Sequence, residues 1–141
     1  MTRFSFTGLS LVLSLVSGLI WPVSAFADTS ERQTIIHEQI QAFQADDTRQ
    51  AWSYAAPAIQ VRFGDADQFM SMVRSQYQPL YRPRAYTMGE TVETPRGPGQ
   101  IVHVIDDQGR PWQALYLFTA DNKDEWKISG CYLHLLPGED I

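Results

Sequence analysis

Halfway along the chain the hydrophobic pattern changes from the period of a helix to that of a strand, and two prolines, Pro79 and Pro83, mark the change. Upstream, Ile36, Ile40 and Phe43 recur at helical spacing with Ile35 beside them. Asp28 or Ser30 is placed to cap this first helix, with Glu31 or Gln33 three residues on. Asp46-Asp47 ends it and caps a short second helix, whose buried side is Ala51, Trp52 and Ala55 and which Pro57 stops. Ala58 to Phe63 forms a further turn closed by Gly64. Asp65 then caps a third helix with Gln68 three residues later, and Phe69, Met72, Val73 and Tyr77 line its apolar face. Pro79 and Pro83 exclude helix from the segment that follows and favour an extended course.

Downstream the period is two. Tyr86, Met88 and Val92 mark a first strand with a bulge or bend at Gly89. Residues 95–99 (Pro-Arg-Gly-Pro-Gly) read as a loop, because two prolines and two glycines sustain a ladder poorly. Strands follow over Gln100 to Asp106, Pro111 to Ala120 and Trp126 to Leu136, separated by the turns Asp107-Gln108-Gly109 and Asp121 to Glu125. Consecutive strands with hairpin-length turns make an antiparallel meander of three or four strands. Helices first and strands after make an α+β domain with the helices packed on one face of the sheet. The third helix is the expected partner of the sheet, with Phe69, Val73 and Trp126 in one core.

The N-terminus has the layout of an export signal: Arg3, an apolar run from Phe4 to Ile20, a break at Trp21-Pro22 and the small-x-small triplet Ala25-Phe26-Ala27. Cleavage after Ala27 leaves residues 28–141 as one domain, periplasmic or secreted and without stable membrane insertion. Such a domain is long enough to bury a core without staples. Removal of Arg3 takes the formal charge from −5 to −6. A net acidic chain with only two lysines is a poor nucleic-acid binder. Cys131 is the sole cysteine and has no intramolecular disulfide partner; a buried thiol, a reactive thiol or a dimer-forming one are the readings.

Few constellations carry chemistry. His37, His103 and His134 lack zinc-type spacing, and Cys131 and His134, three apart on a strand, face opposite ways, so no metal site is expected. No nucleophile elbow, dinucleotide-binding or phosphate-loop motif is present, and no cofactor is implied. His103, mid-strand between apolar residues of both parities, is the one weak catalytic candidate. The Asp46-Asp47 and Asp65-x-Asp67 pairs fall where helix caps are wanted. One asymmetry is left. Gln68 to Gly89 holds no acid but carries Arg74, Arg82 and Arg84 among Tyr77, Tyr81 and Tyr86. Planar guanidinium donors beside tyrosines suit a carboxylate or phosphate. Tyr77, Tyr81, Arg82 and Arg84 are therefore the candidate ligand-binding residues, for a small anionic ligand or an acidic protein segment. An internal carboxylate is the rival partner, with Glu90 and Glu93 the nearest in sequence.

These features resemble a bacterial family of short exported proteins, domain of unknown function 4864. The match is carried by Gln39 to Phe43 with Ala45-Asp46-Asp47, by Ala55, Pro57 and Ile59, and by Phe63-Gly64, Phe69, Met72-Val73-Arg74, Tyr77 and Tyr81-Arg82-Pro83. Trp126 to Cys131 resembles its closing strand. The order of elements is also similar to the nuclear-transport-factor-2-like superfamily, which implies a curved sheet wrapped as a cone around a long helix, with a pocket at the wide end. Neither resemblance implies a catalytic residue. The expected function is noncatalytic binding of a small molecule or protein outside the cytoplasm. The alternatives are a small lyase or isomerase using His103, and a dimeric assembly or stress-related protein.

Overall fold

The structure, a computed structural model, describes residues 24–138. The expected export signal lies outside these residues except for Ser24 to Ala27. Helix α1 (Ser24–Gln44) begins upstream of Asp28, so neither Asp28 nor Ser30 is a cap. Ala25, Phe26 and Ala27 are compatible with helix, and the Thr29 hydroxyl donates back to the Ala25 carbonyl at 3.0 Å. At its other end Asp46 adopts a left-handed φ of 52°, and the Asp47 N–H closes on the Ala42 carbonyl at 2.8 Å. Asp47 caps α2 (Thr48–Ser53), accepting from the Gln50 N–H at 3.0 Å. Helix α3 (Pro57–Phe63) starts on Pro57 and ends at Gly64. Helix α4 (Ala66–Gln76) is capped by Asp65, which accepts from the Gln68 N–H at 2.8 Å.

The segment after Tyr77 departs from expectation: α5 (Gln78–Tyr81) is a short helix with Pro79 in its first turn. Proline there sacrifices only an N–H that has no intrahelical acceptor, so it starts this helix instead of preventing it.

Four strands follow, β1 (Ala85–Thr94), β2 (Gly97–Ile105), β3 (Pro111–Ala120) and β4 (Trp126–Leu135), antiparallel and in the order β1-β2-β3-β4. Gly97, Pro98 and Gly99 belong to β2, contrary to the expected loop, and pair with Thr94, Glu93 and Val92. The ladder to β3 begins only at Gly99, so Pro98 meets β1 alone and its missing N–H breaks no bond to β3. Gly97 has φ 114° and a Cβ there would stand 2.6 Å from the Phe118 carbonyl oxygen, so this position requires glycine. The expected bulge in β1 is a register shift between Met88 and Thr91. Fully buried Gln100 holds it, donating to the Gly89 carbonyl at 2.8 Å and accepting from Gln33 of α1 at 3.0 Å.

Val102, Val104, Ala114, Tyr116, Phe118 and Ile128 form the buried face of the sheet, against Ile35, Ile36 and Ile40 of α1 and Leu80 of α5. A second cluster joins Ala42 and Phe43 of α1 to Ala51, Phe69, Met70 and Val73. Trp126 packs on the first cluster, while Phe69 and Val73 belong to the second. The single core expected around α4 is thus replaced by two. A 21-residue helix is roughly 30 Å long, enough for α1 to cover the sheet with one part and meet α2 and α4 with its last turn. Separate clusters make a testable statement. Phe69→Ala and Trp126→Ala should each destabilise, and the double variant should equal their sum within about 0.5 kcal/mol in urea unfolding. A coupling above about 1 kcal/mol would put both rings in one core.

Among the described residues no helix is long and apolar enough to cross a membrane.

Candidate functional site

Strand β4 is an edge strand, and its free edge is only partly covered. The link between α2 and α3 pairs with it at one point, where Ile128 donates to the Tyr54 carbonyl and accepts from the Ala56 N–H, both at 2.8 Å. Past Ile128 the edge is met by side chains instead of backbone. Tyr77, just after α4, reaches across and donates its hydroxyl to the Cys131 carbonyl at 2.8 Å. Between α3, α4 and this stretch of β4 the packing stays open, leaving a cavity of about 590 Å³. Phe43, Ile59, Phe63, Phe69, Met72 and Leu80 form its apolar wall, and Gln39, Gln76 and Ser129 line it as well. Phe69 fixes the aromatic part of the wall, with ring centroids 5.9 Å from Phe63 and 6.4 Å from Phe43.

Polar groups share this wall. The Tyr116 hydroxyl is buried with no hydrogen-bond partner, and burial pushes its pKa well up. Burial likewise raises the Tyr77 hydroxyl and pushes the part-buried Cys131 thiol far above its ordinary value, which disfavours its thiolate. Two exposed arginines complete the lining. Arg62 of α3 lies over the Phe63 ring, 5.6 Å from its centroid. Arg96, at the β1–β2 turn, lies over the Tyr132 ring and donates to its hydroxyl. Among the described residues no aspartate, glutamate or histidine lines the cavity. Chemically it offers apolar side chains, tyrosine hydroxyls, two glutamines, a serine and two cations.

Of the residues singled out in the sequence, Tyr77 lines this cavity and Tyr81, Arg82 and Arg84 do not. Arg82 pairs with Asp46 at 2.8 Å, donates to the Phe43 carbonyl at 2.6 Å and stacks on Tyr81 with its guanidinium carbon 3.9 Å from the ring centroid. Tyr81 donates to the same carboxylate, and Arg74 approaches it at 3.4 Å. The Tyr81 hydroxyl, ahead of Arg74 and Arg82, holds the Asp46 carboxyl below its ordinary pKa. Arg84 turns elsewhere, donating to the Asp107 carbonyl at 3.0 Å. The two guanidinium groups part because Arg82 caps α5 at φ −137°, ψ 65°, and is not extended. The carboxylate that answers Arg82, together with Arg74, is Asp46, supplied by the turn after α1, and not Glu90 or Glu93.

His103 lies on the outer face of the sheet, opposite Val102 and Val104. Its imidazole covers Gly89, where a Cβ would stand 2.8 Å from Nε2. His37 contacts the Tyr86 hydroxyl through Nδ1. Among the described residues no group of three His, Cys, Asp or Glu side chains is placed to hold a metal ion. Arg62, Arg96, Tyr116 and Tyr132 escaped the sequence reading. Tyr116 alone left a local sign, a lone hydroxyl in the apolar run Ala114 to Phe118.

Helices followed by an open four-stranded antiparallel meander, with a cavity at the edge strand, define an α+β domain. The chain belongs to the family described as Domain of unknown function (DUF4864), whose model matches residues 25–141. No curated protein and no solved structure matches it.

Proposed function

We propose that this chain is an exported domain that binds a small molecule, without transforming it, in the cavity between α3, α4 and β4. The cavity itself carries the reading. Protein interiors are close-packed, and a partly apolar space of about 590 Å³ falls in the range of small-molecule sites. A buried Tyr116 hydroxyl without a partner adds a polar group that an occupant can satisfy. The described wall lacks a carboxylate and a histidine, which supports binding over catalysis. The lyase or isomerase alternative requires His103 at the cavity, and His103 is on the opposite face of the sheet. Export is supported by the Arg3, apolar-run and Ala25-Phe26-Ala27 pattern, and by a family match that starts at residue 25. Kinship to the nuclear-transport-factor-2-like superfamily is part of the same proposal, resting on helix-then-meander order and a pocket against the sheet. A homodimer through the outer sheet face is the second reading, favoured by the part-exposed Val92, Ile101 and Leu115 on that face.

The neutral fluorescent probe N-phenyl-1-naphthylamine tests the cavity. Its emission should rise on binding to the protein, and Met72→Trp, which fills the cavity, should weaken binding by about tenfold or more, a loss of about 1.4 kcal/mol. Absence of binding, or equal binding by the Met72→Trp variant with its melting temperature retained, would refute the cavity as the site.

A further inference from the structure

Resting on that reading, we infer that the occupant is an amphipathic anion: an apolar body inside the cavity with one carboxylate at the rim, held between Arg62 and Arg96. The charge distribution leads there. The chain carries a formal charge of −5, yet among the described residues this cavity is lined by two arginines and no acid. Three of the other described arginines pair with carboxylates, while Arg32, Arg49 and Arg84 form no ion pair among the described residues. Arg74 and Arg82 share Asp46, and Arg110 holds Asp106 at 2.7 Å. Arg62 and Arg96 have no carboxylate partner among the described residues.

Their setting also leaves them able to act. Each guanidinium lies over an aromatic ring of the same wall, Phe63 for Arg62 and Tyr132 for Arg96, which orients the cation without consuming its N–H donors. A guanidinium has five such donors, and Arg96 spends one on the Tyr132 hydroxyl. The two cations come from elements far apart in sequence, the last turn of α3 and the tip of the β1–β2 hairpin, and both line the same cavity. Behind them the wall is Phe43, Phe69, Met72 and Leu80, where a second charge would be desolvated without a partner. A single charged head on an apolar body matches two exposed cations in front of that apolar patch.

Decanoate and its uncharged counterpart decan-1-ol separate the two terms. Both are titrated against the protein carrying N-phenyl-1-naphthylamine, below their aggregation range. Decanoate should displace the probe at about one-tenth the concentration decan-1-ol requires, and added salt should shrink that preference because the rim is solvent-exposed. The variant Arg62→Gln/Arg96→Gln should lose the preference while binding the neutral probe as before, and each single variant should lose part of it. Equal affinity for acid and alcohol, with the probe bound, would overturn the anion assignment and leave the cavity reading intact. A preference that persists in the double variant would overturn the roles of Arg62 and Arg96. Failure of probe, acid and alcohol alike would remove the binding reading itself.

Discussion

Phe118→Ala is expected to destabilise the protein by about 3–5 kcal/mol, the range for removing a fully buried aromatic ring from a core. Phe118 has no solvent exposure and packs in the cluster that joins the sheet to Ile36 and Ile40 of α1. It also pairs with Ile128 across the register shift that separates it from Leu117. Its ring therefore packs where β3 and β4 change register, in the cluster shared with α1. Domain stabilities are typically about 5–15 kcal/mol, so the variant should be marginal at physiological temperature. Urea unfolding should show the midpoint falling with an unchanged slope, and Phe118→Leu should recover more than half of the loss. A loss under about 1 kcal/mol would mean that this ring is not a core element.

What the sequence made legible follows the range of the interaction. Asp47 with Gln50 and Asp65 with Gln68 are contacts three residues apart, and each cap forms as its residue types dictate. Period-two patterning placed β3 to the residue and made the meander readable. Mistakes arose where a local rule met a longer-range circumstance. Pro98 stays in β2 because its neighbour on one side has already ended, which no window around Pro98 contains. Pro79 starts α5 because the turn at Tyr77 leaves a first-turn position for it. Trp126 and Phe69 have equal claims to a core, and only the length of α1 divides them between two clusters.

The candidate site was the least legible part, for the same reason. The arginine-tyrosine asymmetry between Gln68 and Gly89 was real, but its charge is answered by Asp46, 36 residues before Arg82. Local absence of acid says nothing about acids that folding brings in. Conversely, nothing in the sequence sets Arg62 and Arg96 apart, and they line one cavity only after β4 is laid beside α3.

Asp106 shows the opposite case, a residue that the sequence marks only as the end of a strand beside a hairpin turn. It has no solvent exposure and its carboxylate is saturated. Oδ1 accepts from the Gln108 and Arg110 N–H groups at 2.9 and 2.8 Å, and Oδ2 accepts from Arg110 Nε at 2.7 Å and Trp112 Nε1 at 2.9 Å. Burial alone raises its pKa; the bonds from Trp112, Arg110 and Gln108 outweigh that and bring it from 3.8 to about 2. A carboxyl with a depressed folded-state pKa stabilises the fold above its unfolded value and loses that contribution as pH falls through the folded one. The wild-type protein should therefore lose stability from about pH 4 down to about pH 2 through this group. Asp106→Asn keeps one acceptor but sets an amide N–H₂ against donors, so its melting temperature at pH 7 should drop by several degrees and its acid limb should be flatter. Asp107→Asn, in the same turn but exposed, provides the control and should follow the wild type. Parallel acid limbs for wild type and Asp106→Asn would show that the carboxylate does not lock the β2–β3 turn.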